Sequence, residues 1–149
     1  MLALNQFPCS CGGLEQIPFR VTRGVEMLMD RACPGGGWNA GNGVVYGTAL
    51  AAHADDTAIA LLALRDRTKD PVVQGSVDYL ERVAATLTAP WSLAWAILAL
   101  AAHCRPISSL SMSLAAFPDL SGIEDTSTLA LVCLALDYRR ALSAFGVAQ

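Results

Sequence analysis

A chain of 149 residues is one domain's worth of protein, long enough to bury a core yet short of the large repeat enzymes. Hydrophobic residues make up 54% and charged residues only 15%, against roughly 25% charged in an average globular domain, so much of the chain must be buried. A net charge of −3 with ten scattered basic residues offers no footprint for phosphate backbones, and nucleic acid is not an expected partner.

Residues 1–18 read as an irregular N-terminal segment ahead of a single repeat domain over 19–149. No basic start followed by a long apolar stretch opens the chain, so the expectation is a cytoplasmic protein without a secretory signal. Five dispersed cysteines, Cys9, Cys11, Cys33, Cys104 and Cys133, form no disulfide framework and are expected as free thiols. Thiolates at Cys9, Cys11 and Cys33 with a histidine would suit zinc, but no second Cys/His pair at ligand spacing accompanies them. Neither metal nor cofactor is therefore expected.

The first amphipathic helix is expected over 19–31, followed by a long loop over 33–54. That loop carries Gly35-Gly36-Gly37 and Gly41-Asn42-Gly43, which serve turns, since neither run follows a strand or carries a P-loop lysine. Helices are expected next over 56–65, 71–86, 92–103, 107–117 and 125–138, with a terminal helix over 139–147. The stretches 56–65, 92–103 and 125–138 are apolar on nearly all sides, as helices packed on several faces must be. The alternating stretches keep one polar face, as with Asp78, Glu81 and Arg82 in 71–86. The longest nearly apolar stretch, 89–102, is shorter than the roughly 20 residues that span a bilayer, so no transmembrane helix is expected.

Asp55 and Asp56 before the first apolar helix and Asp125-Thr126 before the third read as N-caps, whose oxygens accept from the free amides of the first turn. Pro71 and Pro106 stand where outer helices begin, a position that needs no backbone donor. His103 falls at a helix C-terminus, where an imidazole complements the negative dipole end.

Leu61-Leu62-Ala63-Leu64, Ile97-Leu98-Ala99-Leu100 and Cys133-Leu134-Ala135-Leu136 are nearly the same letters, 36 residues apart each time. A fixed period of this length with no β-rich run makes each unit a helical hairpin. The fold class is all-α, with about three hairpins whose inner helices alternate with outer ones. The loop over 33–54 lengthens the first unit, since Leu28 and Leu80 are 52 residues apart.

Arg23-Gly24, Met27-Leu28, Gly36 and Trp38 follow the spacing of the QW motif, and the chain resembles the squalene-hopene cyclase and protein prenyltransferase superfamily of α/α toroids. Ala32 stands where that motif has Gln, and Met27 where it has an aromatic residue. The resemblance implies that Trp38 ties an outer helix to its neighbour, and that the hairpins are part of a toroid of six. His53-Ala54-Asp55-Asp56-Thr57-Ala58 is similar to the Asp-x-Asp-Asp-Thr-Ala acid motif of class II terpene cyclases, which implies Asp55 as a proton donor beside Asp56. His53 replaces the first Asp, and aromatic residues are only 7% of the chain. The Asp-x-Cys pair that carries zinc in prenyltransferases and the thioester Gly-Cys-Gly-Glu-Gln of a third branch are both absent. The expected function is thus a noncatalytic toroid-repeat module binding an apolar or isoprenoid ligand or a protein partner, and forming a homodimer. The alternative is an isoprenoid-acting enzyme with Asp55 as acid, completed by oligomerisation.

Overall fold

The computed structural model describes residues 17–117, 123 and 125–144. The segment 1–16, with Cys9 and Cys11, and the last residues of the expected 139–147 helix lie outside them. Seven α-helices organise the described residues: α1 (Ile17–Asp30), α2 (Ala54–Ala63), α3 (Pro71–Ala84), α4 (Pro90–Ala102), α5 (Ser108–Ala115), α6 (Thr126–Leu136) and α7 (Tyr138–Ala144). A 3-10 turn, Arg65–Arg67, leads from α2 towards α3. The all-α reading holds, and the long loop adds one two-stranded ribbon, β1 (Val44–Val45) with β2 (Thr48–Ala49).

The helices form two layers. The main contacts run α2 to α4 and α4 to α6, while α3 packs on α2 and α4, and α5 on α4 and α6. Inner helices therefore stand side by side, with an outer helix returning between each pair. At the centre, α4 buries Leu93, Ala94, Ala96, Ile97, Leu98, Ala99, Leu100 and Ala102. Full burial of each large aliphatic side chain contributes about 1.5–3 kcal/mol, so this helix is the main contributor to the core. By contrast α1 buries no residue; only Val25, Leu28, Met29 and the following Ala32 lean on the core.

Helix ends follow local chemistry. The Asp70 carboxylate accepts from the Val72 amide at 2.9 Å, with Pro71 at the first helical position of α3. At α6, Asp125 accepts from the Ser127 and Thr128 amides at 3.3 and 2.8 Å and from the Thr128 hydroxyl at 2.6 Å. The Thr128 hydroxyl and amide hold the Asp125 carboxyl below the usual range. After the C-cap His103, Cys104 takes φ 56°, its amide donates to the Ala101 carbonyl, and Arg105 donates to the Leu100 carbonyl at 2.9 Å. This is the Schellman closure, built without its usual glycine.

Four expectations are corrected. The N-cap of α2 is His53, so Asp55 and Asp56 lie inside the first turn and cap nothing. Pro106 precedes the Ile107 cap of α5 instead of opening that helix. The helix expected over 125–138 stops at Leu136, because Asp137 leaves helical geometry (φ −106°, ψ 47°) before α7 begins. And α1 starts at Ile17, inside the segment expected to be irregular.

Candidate functional site

Two buried hydroxyls position the loop between α1 and α2. Thr57 and Ser76 are the buried polar side chains among the described residues. The Thr57 hydroxyl accepts from the Trp38 amide at 2.9 Å and donates to the Trp38 carbonyl at 3.2 Å. That carbonyl also accepts from the His53 amide at 2.8 Å, making an isolated antiparallel bridge. The Ser76 hydroxyl accepts from the Gly37 amide at 2.8 Å and donates to the Val72 carbonyl at 2.7 Å. Tyr79 adds a third tie, donating to the Ala52 carbonyl at 2.7 Å. Burial pushes the Tyr79 phenol and the nearby Cys33 thiol above their ordinary values, so both stay neutral.

The chain approaches α3 too closely for any side chain here. Gly36 and Gly37 have φ of 86° and 83°, and a Cβ on Gly36 would lie 2.7 Å from the Gly75 carbonyl oxygen. On Gly37 it would lie 2.6 Å from the Thr57 hydroxyl. Only glycine satisfies both demands.

Trp38 ties the docked loop to α1. It is 3% exposed, and its indole N–H donates to the Leu28 carbonyl at 2.6 Å, fastening the last turns of α1. Ala32 packs against the core. Arg23 points into solvent, pairing with Glu26 at 2.9 Å, and Gly24 sits partly exposed on α1.

The docked loop, α1 and α2 enclose an apolar groove of about 310 Å³, with Met27, Ile59, Ala60 and Ala63 as its greasy surface and Arg31 and Asp56 as its charged groups. Ile59 and Met27 are more than two-fifths exposed, although both belong to helices of the hairpin array. Of the acid-motif residues, Asp56 borders this groove and bonds His53 Nδ1 at 3.1 Å in an exposed pair. Asp55 is partly exposed and makes no side-chain hydrogen bond among the described residues. The three tryptophans do not converge: Trp91 and Trp95 meet edge to face on α4, 5.9 Å apart, while Trp38 is committed to α1. Among the described residues no three His, Cys, Asp or Glu side chains gather as metal ligands, with Cys9 and Cys11 outside that set. His103 lies away from the groove, with Nε2 3.0 Å from the Leu61 carbonyl oxygen. It stands at the C-cap of α4, as expected, and burial lowers its pKa, so the neutral ring donates to that carbonyl.

Sequence reasoning missed Thr57, Ser76 and Tyr79 as anchors. One signal was present: by the 36-residue step Thr57 stands where α4 has the buried Leu93, so a hydroxyl replaces a core leucine only where the long loop docks.

Fold and groove together define an all-α protein of stacked helical hairpins with an open apolar edge. Comparison with protein-family models, with curated proteins and with solved structures finds no match. No helix among the described residues is long and apolar enough to cross a membrane.

Proposed function

We propose that this chain is a noncatalytic binding module of the toroid-repeat kind, cytoplasmic, resembling the squalene-hopene cyclases and prenyltransferases in its hairpins but not in their chemistry. The groove between α1 and α2 carries this reading: it is open, predominantly apolar and rimmed by one base and one acid. Such a groove takes an apolar ligand, an isoprenoid included, or the apolar surface of a protein partner. Three hairpins are half of the six that a closed toroid needs, which is consistent with a homodimer. The catalytic alternative, with Asp55 as acid, needs a carboxylic acid inside a water-free cavity, whereas Asp55 is partly exposed at a helix start.

Titration with farnesol and with the apolar dye ANS tests the proposal, with tryptophan and dye fluorescence as readouts. Saturable binding is expected, weakened at least tenfold by Ile59→Glu. Absence of binding by either probe, in a chain that also captures no protein surface, overturns it. Turnover of a polyprenyl substrate that is lost in Asp55→Asn would establish the enzymatic alternative instead.

A further inference from the structure

We infer that the occupant of this groove is the α6 edge of a second copy of the same chain, docked head to tail so that the inner row of helices continues from one copy into the next. The inference rests on the groove being a docking site and adds its occupant. It follows from comparing equivalent positions, 36 residues apart, on α2, α4 and α6. One face of each inner helix carries positions spaced by three and four residues. On α2 these are Ala58, Leu61 and Leu62, and on α4 they are Ala94, Ile97 and Leu98, all at most 1% exposed. On α6 the same face is Ala130, Cys133 and Leu134, and all three are exposed. Together with Asp137, Arg140 and Ala141 they line an open groove of about 500 Å³.

A second face of the same helices shows the mirror of this loss. On α6 Leu131 and Ala135 are buried, and on α4 Ala99 is buried and Trp95 half-buried. The equivalents on α2 are the exposed Ile59 and the half-buried Ala63, and both line the first groove. Each inner helix thus presents one face to the helix before it and one to the helix after it. Among the described residues no inner helix precedes α2 and none follows α6. What α6 leaves uncovered is the surface that α2 and α4 each bury against the next unit, and what α2 leaves uncovered is the surface that α4 and α6 bury against the previous one. The interface that joins α2 to α4 and α4 to α6 is already built twice in the chain. A second copy is the partner that carries its complement. A contact between two different faces is heterologous, so it closes into a ring or propagates, according to the rotation each copy adds.

By the 36-residue step Cys133 stands on α6 where Ile97 stands on α4, and Ile59 stands on α2 where Leu131 stands on α6, so a contact that repeats the packing of α4 on α6 brings Cys133 towards Ile59 of the second copy. This pairing gives a direct test in the 149-residue chain, with Cys9, Cys11 and Cys104 changed to Ser. Ile59→Cys is added, and diamide is supplied as oxidant to take two electrons and two protons from a pair of thiols. Cross-linked dimer is expected only when Ile59→Cys and Cys133 are both present, and it should vanish with Cys133→Ser. Light scattering of the unmodified chain at tens of micromolar should give at least twice the mass of one chain, reduced to one chain by Ile59→Glu. Cross-linking without Ile59→Cys would mean that two α6 faces meet each other, and overturns the head-to-tail contact. A monomer in light scattering overturns it as well. In that case a monomer that still binds farnesol keeps the groove as a ligand site, and one that binds neither probe removes both proposals.

Discussion

Single side chains carry unequal loads in this fold, and Trp38 carries two. Trp38→Phe keeps an aromatic ring but removes the N–H that meets the Leu28 carbonyl, and should cost about 1 kcal/mol. Trp38→Ala also leaves a cavity and should cost about 3 kcal/mol or more, measured by chemical denaturation. His103 gives a pH signature. Its folded pKa lies below the ordinary imidazole value because burial disfavours the charged ring, with the Leu61 carbonyl opposing and Arg105 reinforcing the shift. The unfolded chain therefore takes up the proton first. The stability from neutral His103 is complete above about pH 6.5 and is lost as pH falls through the lower folded value. The melting temperature should drop across mildly acidic pH, and His103→Asn should flatten that step. An unchanged step in the variant would assign it to other groups. Asp125 has the same sign at lower pH, because its carboxylate is held ionised by Thr128.

At the level of elements, two strained backbone positions predict stabilising changes. Tyr46 and Gly47 form the two-residue turn between β1 and β2 with φ of 49° and 78°, both left-handed, a turn that prefers Asn-Gly. Tyr46 is fully exposed, so Tyr46→Asn loses no packing and should stabilise the chain by about 0.5 kcal/mol or more. Cys104→Gly should do the same at the end of α4, by about 1 kcal/mol, since glycine occupies that conformation without strain. A fall in melting temperature for either variant would contradict the turn assignments. In the opposite sense, Gly37→Ala should cost more than about 1 kcal/mol, because the added methyl meets Thr57 and Ala52 as well as a left-handed backbone. Helices were legible in the sequence wherever apolar spacing ran for several turns, as in α3 and α4. Their starts were legible at Pro71, which opens α3, and at Asp125, whose carboxylate caps α6, whereas the Asp70 cap of α3 was not read from the sequence. At α2 the acidic letters misled, because the loop's bridge between Trp38 and His53 sets where that helix begins. The groove was not legible at all, since it arises from how a loop of glycines folds back on α3, and nothing in local periodicity encodes that return.

Across the whole molecule, identical letters differ in weight according to their place in the array. Leu64, Leu100 and Leu136 end the three inner segments, yet the first two are 1% exposed and the last is 42% exposed. Leu64→Ala should cost about 2–5 kcal/mol at any protein concentration. Leu136→Ala should cost little in dilute solution and more where copies associate, which unfolding at two concentrations will show. Equal costs at both concentrations would mean that no second copy covers that end. The central position of α4, touching α2, α3, α5, α6 and α7, has a consequence in time. The amides of its buried run Ala96–Leu100 open only when both neighbouring hairpins separate at once. They should exchange with deuterium only when the entire chain unfolds, and their exchange should report the global free energy. The amides of α1, which fully buries no residue and is held by the Trp38 indole bond and by Val25, Leu28 and Met29 leaning on the core, should exchange orders of magnitude sooner. A gradient of this kind, slowest at the middle helix and fastest at the first, would make α4 the clock of the fold.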